Sequence, residues 1–114
     1  MKRALIVLIV VGLLSIHPAS MRAGTTGTFV TVTAIDQHND GKFLLDISGN
    51  IQSSTCATVL NRVTGDASTT PGKALLQVSM SAFLAGKRVY IDTTNACSEF
   101  PGIDSLLRIY IVSN

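Results

Sequence analysis

The sequence predicts a mainly β fold of five short strands with one helix between the third and the fourth. Three observations predict it. Apolar and polar residues alternate in several short runs rich in β-branched side chains, turn-forming residues separate those runs, and the period lengthens only once, between Lys73 and Ala85. The chain has 114 residues, 46% hydrophobic and 14% charged. That is enough for a single domain and too apolar for disorder.

Each element follows from its local pattern. Thr28 to Ile35 alternates and places Val30, Val32 and Ala34 on one face. Asp36 to Gly41 is a turn by composition, and Lys42 to Ser48 alternates again with Phe43, Leu45 and Ile47 together. A third strand is expected from Ser54 to Arg62, followed by a loop over Thr64 to Gly72. Thr70 then reads as an N-cap, Pro71 as the first helical residue and Gly86 as the stop. Two strands close the pattern, Lys87–Thr93 with Val89 and Ile91 in phase, and Ser105–Val112 with Leu107, Ile109 and Ile111 in phase.

The N-terminus reads as an export signal over residues 1–23. Lys2 and Arg3 precede an apolar run from Ala4 to Leu14, which is shorter than the ~20 residues a spanning helix needs. Cleavage after Ala23 or after Ser20 fits, and an uncleaved anchor is the competing reading. The mature part, 24–114, is a single domain in a periplasmic or secreted setting. It carries six cations against seven acids, a net charge of −1. The cations are scattered, so there is no basic stripe to recruit nucleic acid.

Strands one to three, a helix, then strands four and five is the order of a five-stranded Greek-key barrel of the OB type, whose helix plugs one end. An open α+β sheet with the helix on one face is the rival. In an OB barrel the loops after strands one and four commonly bind ligands. Here they are Asp36–Gly41 and Thr94–Asp104, so the candidate ligand contacts are His38, Asn39, Asp40, Asn95, Glu99 and Phe100. Cys56 and Cys97 are an even pair in an exported chain, which implies a disulfide. On the chain-entropy model, closing so long a loop contributes about 4 kcal/mol.

The segment Ser81–Ile91, then Cys97, then Ile103–Ile111 resembles the B-subunit-like family of subtilase-cytotoxin type. The shared pattern is a Cys before the helix, an A-x-x-x-G-K-x-V-x-I join and a second Cys before the last strand. Cys56, Ala82, Gly86, Lys87, Val89, Ile91 and Cys97 occupy it. The resemblance covers roughly residues 28–112. It implies an OB fold, a pentamer, recognition of sialylated glycans or a glycoprotein receptor, and an enzymatic A subunit as partner. The family's glycan-contacting Ser and aromatic residues are not matched in this chain.

No catalytic constellation is expected. His38 is the one histidine of the mature part, and no G-x-S-x-G elbow accompanies it. Asp36-x-His38-x-Asp40-Gly41 has the opening spacing of a calcium loop, but the twelfth position is Ile47, not Glu. No Gly-rich phosphate loop or metal-ligand cluster occurs, so neither cofactor nor metal is expected. Tyr90 and Tyr110 fall on the polar faces of their strands, as cross-strand surface pairs do, whereas Phe43 and Phe83 read as core.

Three classes of function remain: a carbohydrate- or receptor-binding module of toxin-subunit type, an envelope protein-interaction or inhibitor module, and an OB-type nucleic-acid binder, which the charge disfavours. The helix adds an expectation about assembly. Its apolar residues span an arc of about 200° at ~100° per residue, interrupted only by Ser79, where about 100° suffices to cover a barrel end. No acid occurs from Ala67 to Ile91. These features predict a homo-oligomer, a ring of five, with Met80 and Leu84 near the contacts.

Overall fold

The structure, a computed structural model, describes residues 23–113. The export signal, apart from Ala23, lies outside the described residues. Six elements follow in order: β1 (Val30–Gln37), β2 (Lys42–Ile47), β3 (Arg62–Asp66), α1 (Thr70–Ala85), β4 (Arg88–Thr93) and β5 (Asp104–Ile111). The fold is mainly β, with its single described helix between β3 and β4. Among the described residues no helix is long and apolar enough to cross a membrane.

β1 pairs antiparallel with β2, β2 with β3, and β4 with β5. β3 meets β5 in a short parallel pairing through Val63 and Thr64, and β1 meets β4 through Val30 and Thr31. The segment before β1 extends the last contact, because Thr26 N–H donates to the Ile91 carbonyl and Thr93 N–H to that of Gly24. Inward side chains converge on one core. Phe43, Leu45, Val63, Val89 and Ile91 are fully buried, and Val30, Val32, Ile47, Ile51, Leu106 and Ile109 surround them. A side chain of this size contributes about 1.5–3 kcal/mol when buried.

Two departures from simple alternation have one cause. A register shift lies between Val32 and Ala34, so Ala34 is exposed and Ile35 packs on the core instead. A second lies opposite Leu107. Asp92 faces Arg108 but Thr93 faces Leu106, so Leu106 joins Ile109 inward while Leu107 is exposed; Ile111, in phase with Ile109, is exposed because it ends the strand. A bulge inserts one residue and turns every later side chain over, which an unbroken period of two cannot anticipate.

The third strand begins where the sequence reading ended it. Residues 54–61 form no strand. Thr58 and Val59 both donate their N–H groups to the Gly102 carbonyl, and Cys56 is bound to Cys97. β3 instead takes Arg62–Asp66, including Thr64 and Gly65, which read as loop by composition. Gly65 is there because it lies under the Phe43 ring, where a Cβ would come within 2.4 Å.

Helix α1 starts one residue earlier than expected. Thr69, not Thr70, is the N-cap, and its hydroxyl accepts from Gly72 N–H at 3.0 Å. Gly86 ends the helix in the left-handed region, φ 64°. Its buried residues are Gly72, Ser79 and Ala82, flanked by half-buried Leu75, Leu76 and Val78. Ser79 therefore lies at the centre of the packing face, its hydroxyl turned back to the Leu75 carbonyl at 2.7 Å. Small residues let the helix backbone approach closely; a Cβ on Gly72 would lie 1.8 Å from the Asp66 carbonyl oxygen. Phe83, expected in the core, is 40% exposed.

Candidate functional site

The turn between β1 and β2 is closed by backbone. His38 N–H donates to the Lys42 carbonyl at 2.8 Å, and Gly41 takes the positive φ that the turn requires, 94°. Asp40 accepts from Lys42 N–H at 3.1 Å, and the His38 ring meets the Asp36 carboxylate at 3.3 Å. Asn39 and Asp40 stand exposed at the tip.

The loop between β4 and β5 is held from beneath. The Cys56–Cys97 disulfide spans a Cα–Cα distance of 6.0 Å. Asn95 accepts the N–H groups of Thr55 and Cys56 through Oδ1 and donates from Nδ2 to Thr55 Oγ1. Asp104 is wholly buried, and its carboxylate accepts four hydrogen bonds: from Ser54 Oγ at 2.7 Å, Thr93 Oγ1 at 2.8 Å, and the N–H groups of Ala96 and Ser105. Cys56, Cys97 and Asp104 lie close together, but the cysteines are joined and offer no thiolate to a metal.

The two loops meet through aromatic rings. His38 and Phe100 are edge-to-face with centroids 5.3 Å apart, and Lys42 Nζ lies 6.0 Å from the Phe100 centroid. His38, Asn39, Asp40 and Phe100 thus belong to one surface. Asn95 is spent on the 54–56 segment. Glu99 turns to β3, where Thr64 Oγ1 donates to it at 2.9 Å and Ser98 Oγ at 3.2 Å. Lys42, Thr64 and Ser98 went unnoticed in the sequence. Only the alternation of β2 could have pointed to Lys42.

Elsewhere, Tyr90 and Tyr110 are register partners with rings stacked at 5.4 Å. Arg108 lies over Tyr110 and binds Asp92, while Arg88 lies over Phe29, whose edge meets Tyr90. The cross-strand role expected for the tyrosines is the one they have. At the start of α1, Ser68 donates its N–H and hydroxyl to Asp66, and these two bonds hold the Asp66 carboxyl below its ordinary pKa.

Met80 and Leu84 are 45% and 79% exposed. With Ile35, Gln37, Leu76 and Phe83 they line an open apolar groove of about 400 Å³ between α1 and β1. A second, more polar cleft of about 260 Å³ lies between the start of α1 and the β4–β5 loop. Comparison with known proteins returned no matching family model, curated protein or solved structure.

Proposed function

We propose that the protein is an exported, non-catalytic binding module, a closed OB-type barrel resembling toxin B subunits, that recognises a glycan or glycoprotein receptor. The strand circuit β1-β2-β3-β5-β4, returning to β1, supports the OB reading, as does a helix between β3 and β4. The disulfide is in keeping with an oxidising compartment.

One observation carries the binding surface: the contact of His38 with Phe100, which joins the β1–β2 turn to the β4–β5 loop. A partly exposed ring on the same surface as the exposed side chains of Asn39 and Asp40 offers one stacking surface and several hydrogen-bonding groups, as a sugar requires. A glycan array of the oxidised protein tests this reading. Binding that weakens with Asn39→Ala and Phe100→Ala supports it, and binding unchanged by both moves the site elsewhere.

The same proposal includes a homo-oligomer, a ring of five, in which α1 packs beside neighbouring copies. Exposed Met80 and Leu84 support it, and so does β1, which meets β4 through only two residues and leaves strand edge beside the groove. Native mass spectrometry at micromolar concentration is the test, and a species that is monomeric only removes the ring. The apolar groove also favours a second reading, an envelope interaction or inhibitor module that docks a protein there. An array without hits, together with capture of a protein partner that Leu84→Glu abolishes, would favour that alternative.

A further inference from the structure

The polar cleft beside the start of α1 has a chemical bias of its own, independent of what the His38–Phe100 surface binds. Its walls include Pro71, Leu75 and Leu106, and its polar groups include Glu99, Ser98 and Ser105. No Lys, Arg or His lines it. Among the described residues Glu99 forms no ion pair, since the four ion pairs there use other acids.

The hydroxyl protons of Thr64, Ser98, Ser105 and Thr69 are already committed. Thr64, wholly buried, donates to Oε1, and Ser98 Oγ donates to Oε2. Ser98 Oγ therefore accepts in its 3.0 Å contact with Ser105, whose own oxygen already receives Ser98 N–H. The neighbouring Thr69 hydroxyl donates to the Asp66 carbonyl at 2.9 Å, and the Gly72 N–H is capped. A carboxylate has about four acceptor sites, and two of these are filled. Apart from the Thr94 hydroxyl, what the side chains around Glu99 present to the cleft is lone pairs, so a ligand that brings protons finds acceptors there.

We propose that this cleft binds an organic cation, a primary ammonium or a guanidinium on a short apolar stem, with the head on Glu99 and the stem against Leu75 and Leu106. A buried threonine and a serine relay aim an unpaired carboxylate at a partly apolar cavity, and a cation supplies both the charge and the donors. Two sources carry this chemistry: the Lys or Arg side chain of a polypeptide, and a free alkylamine.

The test is an NMR titration of the oxidised, isotope-labelled protein. n-Butylammonium and n-butylguanidinium are expected to shift the amides of Ser98, Glu99, Ser105 and Leu106, while butyrate and 1-butanol leave them in place. Glu99→Gln keeps the shape and removes the charge, and is expected to weaken binding on the order of ten-fold or more. The neutral and anionic probes isolate the charge without a variant, so the test stands even if Glu99→Gln loosens the loop. Cations that leave these amides unmoved, or 1-butanol that moves them equally, would overturn the proposal, as would a folded Glu99→Gln that binds unchanged. Capped lysine or arginine amides that bind more tightly than n-butylammonium identify a polypeptide source, and the reverse order a free amine. Either order supports the shared chemistry.

Discussion

Asp104 anchors the β4–β5 loop because its buried carboxylate accepts from four groups at once: two hydroxyls and two backbone N–H groups. Asp104→Asn turns one acceptor oxygen into a donor that faces other donors. We expect it to destabilise the oxidised protein by about 3 kcal/mol, measured by urea unfolding. Asp66 offers a gentler test at the surface. Its folded pKa lies below the ordinary carboxylate value because Ser68 donates to it twice. The contribution is therefore present above the unfolded pKa and is lost as pH falls through the folded one. Ser68→Ala should raise the Asp66 pKa in an NMR pH titration, and its stability deficit at neutral pH should shrink as the medium is acidified. Asp104 did not stand out in the sequence, since its partners include Ser54, 50 positions away; Asp66 takes its bonds from Ser68, two positions on, in a stretch that reads only as loop.

Helix α1 shows how element boundaries and element faces differ in legibility. Its start and stop are local, with Pro71 in the first turn and Gly86 at the end, and they were read to within a residue for the cap. Its packing face is narrower than the apolar arc, for Phe83, expected in the core, is 40% exposed. Ser79 breaks an apolar stripe in the sequence, yet it is fully buried because small side chains let the helix sit close to the strands. Ser79→Leu should overpack this seam and cost about 1–3 kcal/mol in thermal or chemical unfolding, whereas Ser81→Leu on the exposed side should cost little. Strand β5 carries the same lesson: Leu106 and Leu107 are chemically alike, and only the bulge opposite them decides which is core.

At the scale of the whole molecule, one covalent bond ties the irregular 51–61 segment to the loop that carries Phe100. Reduction of Cys56–Cys97 should remove about 4 kcal/mol and lower Tm by more than ~15 °C. It should also broaden the NMR signals of both segments before those of β1 and β2, which the bond does not touch. An unchanged Tm would mean that the hydrogen bonds of Asn95 and Asp104 hold the loop without it. The net charge of −1 for residues 24–114 spreads over a surface whose arginines are largely engaged by rings and carboxylates.

What the sequence by itself determined were the features set by neighbouring residues. These are the number and order of the strands, one helix with its Gly stop, the pairing open to two cysteines, and the inward set Phe43, Leu45, Ile47, Val89 and Ile91. Propensity, capping and alternation act over a few residues, so they can be read locally. The tertiary structure alone decided the limits of β3, where Gly65 is selected by the Phe43 ring and the 54–61 stretch is drawn away by Cys97 and Gly102. It also divided the loop residues, setting Phe100 against His38, Asn95 against the 54–56 segment and Glu99 against Thr64. Such partnerships join residues tens of positions apart. Bulges, ring contacts and shared protons become defined only once the strands are in register.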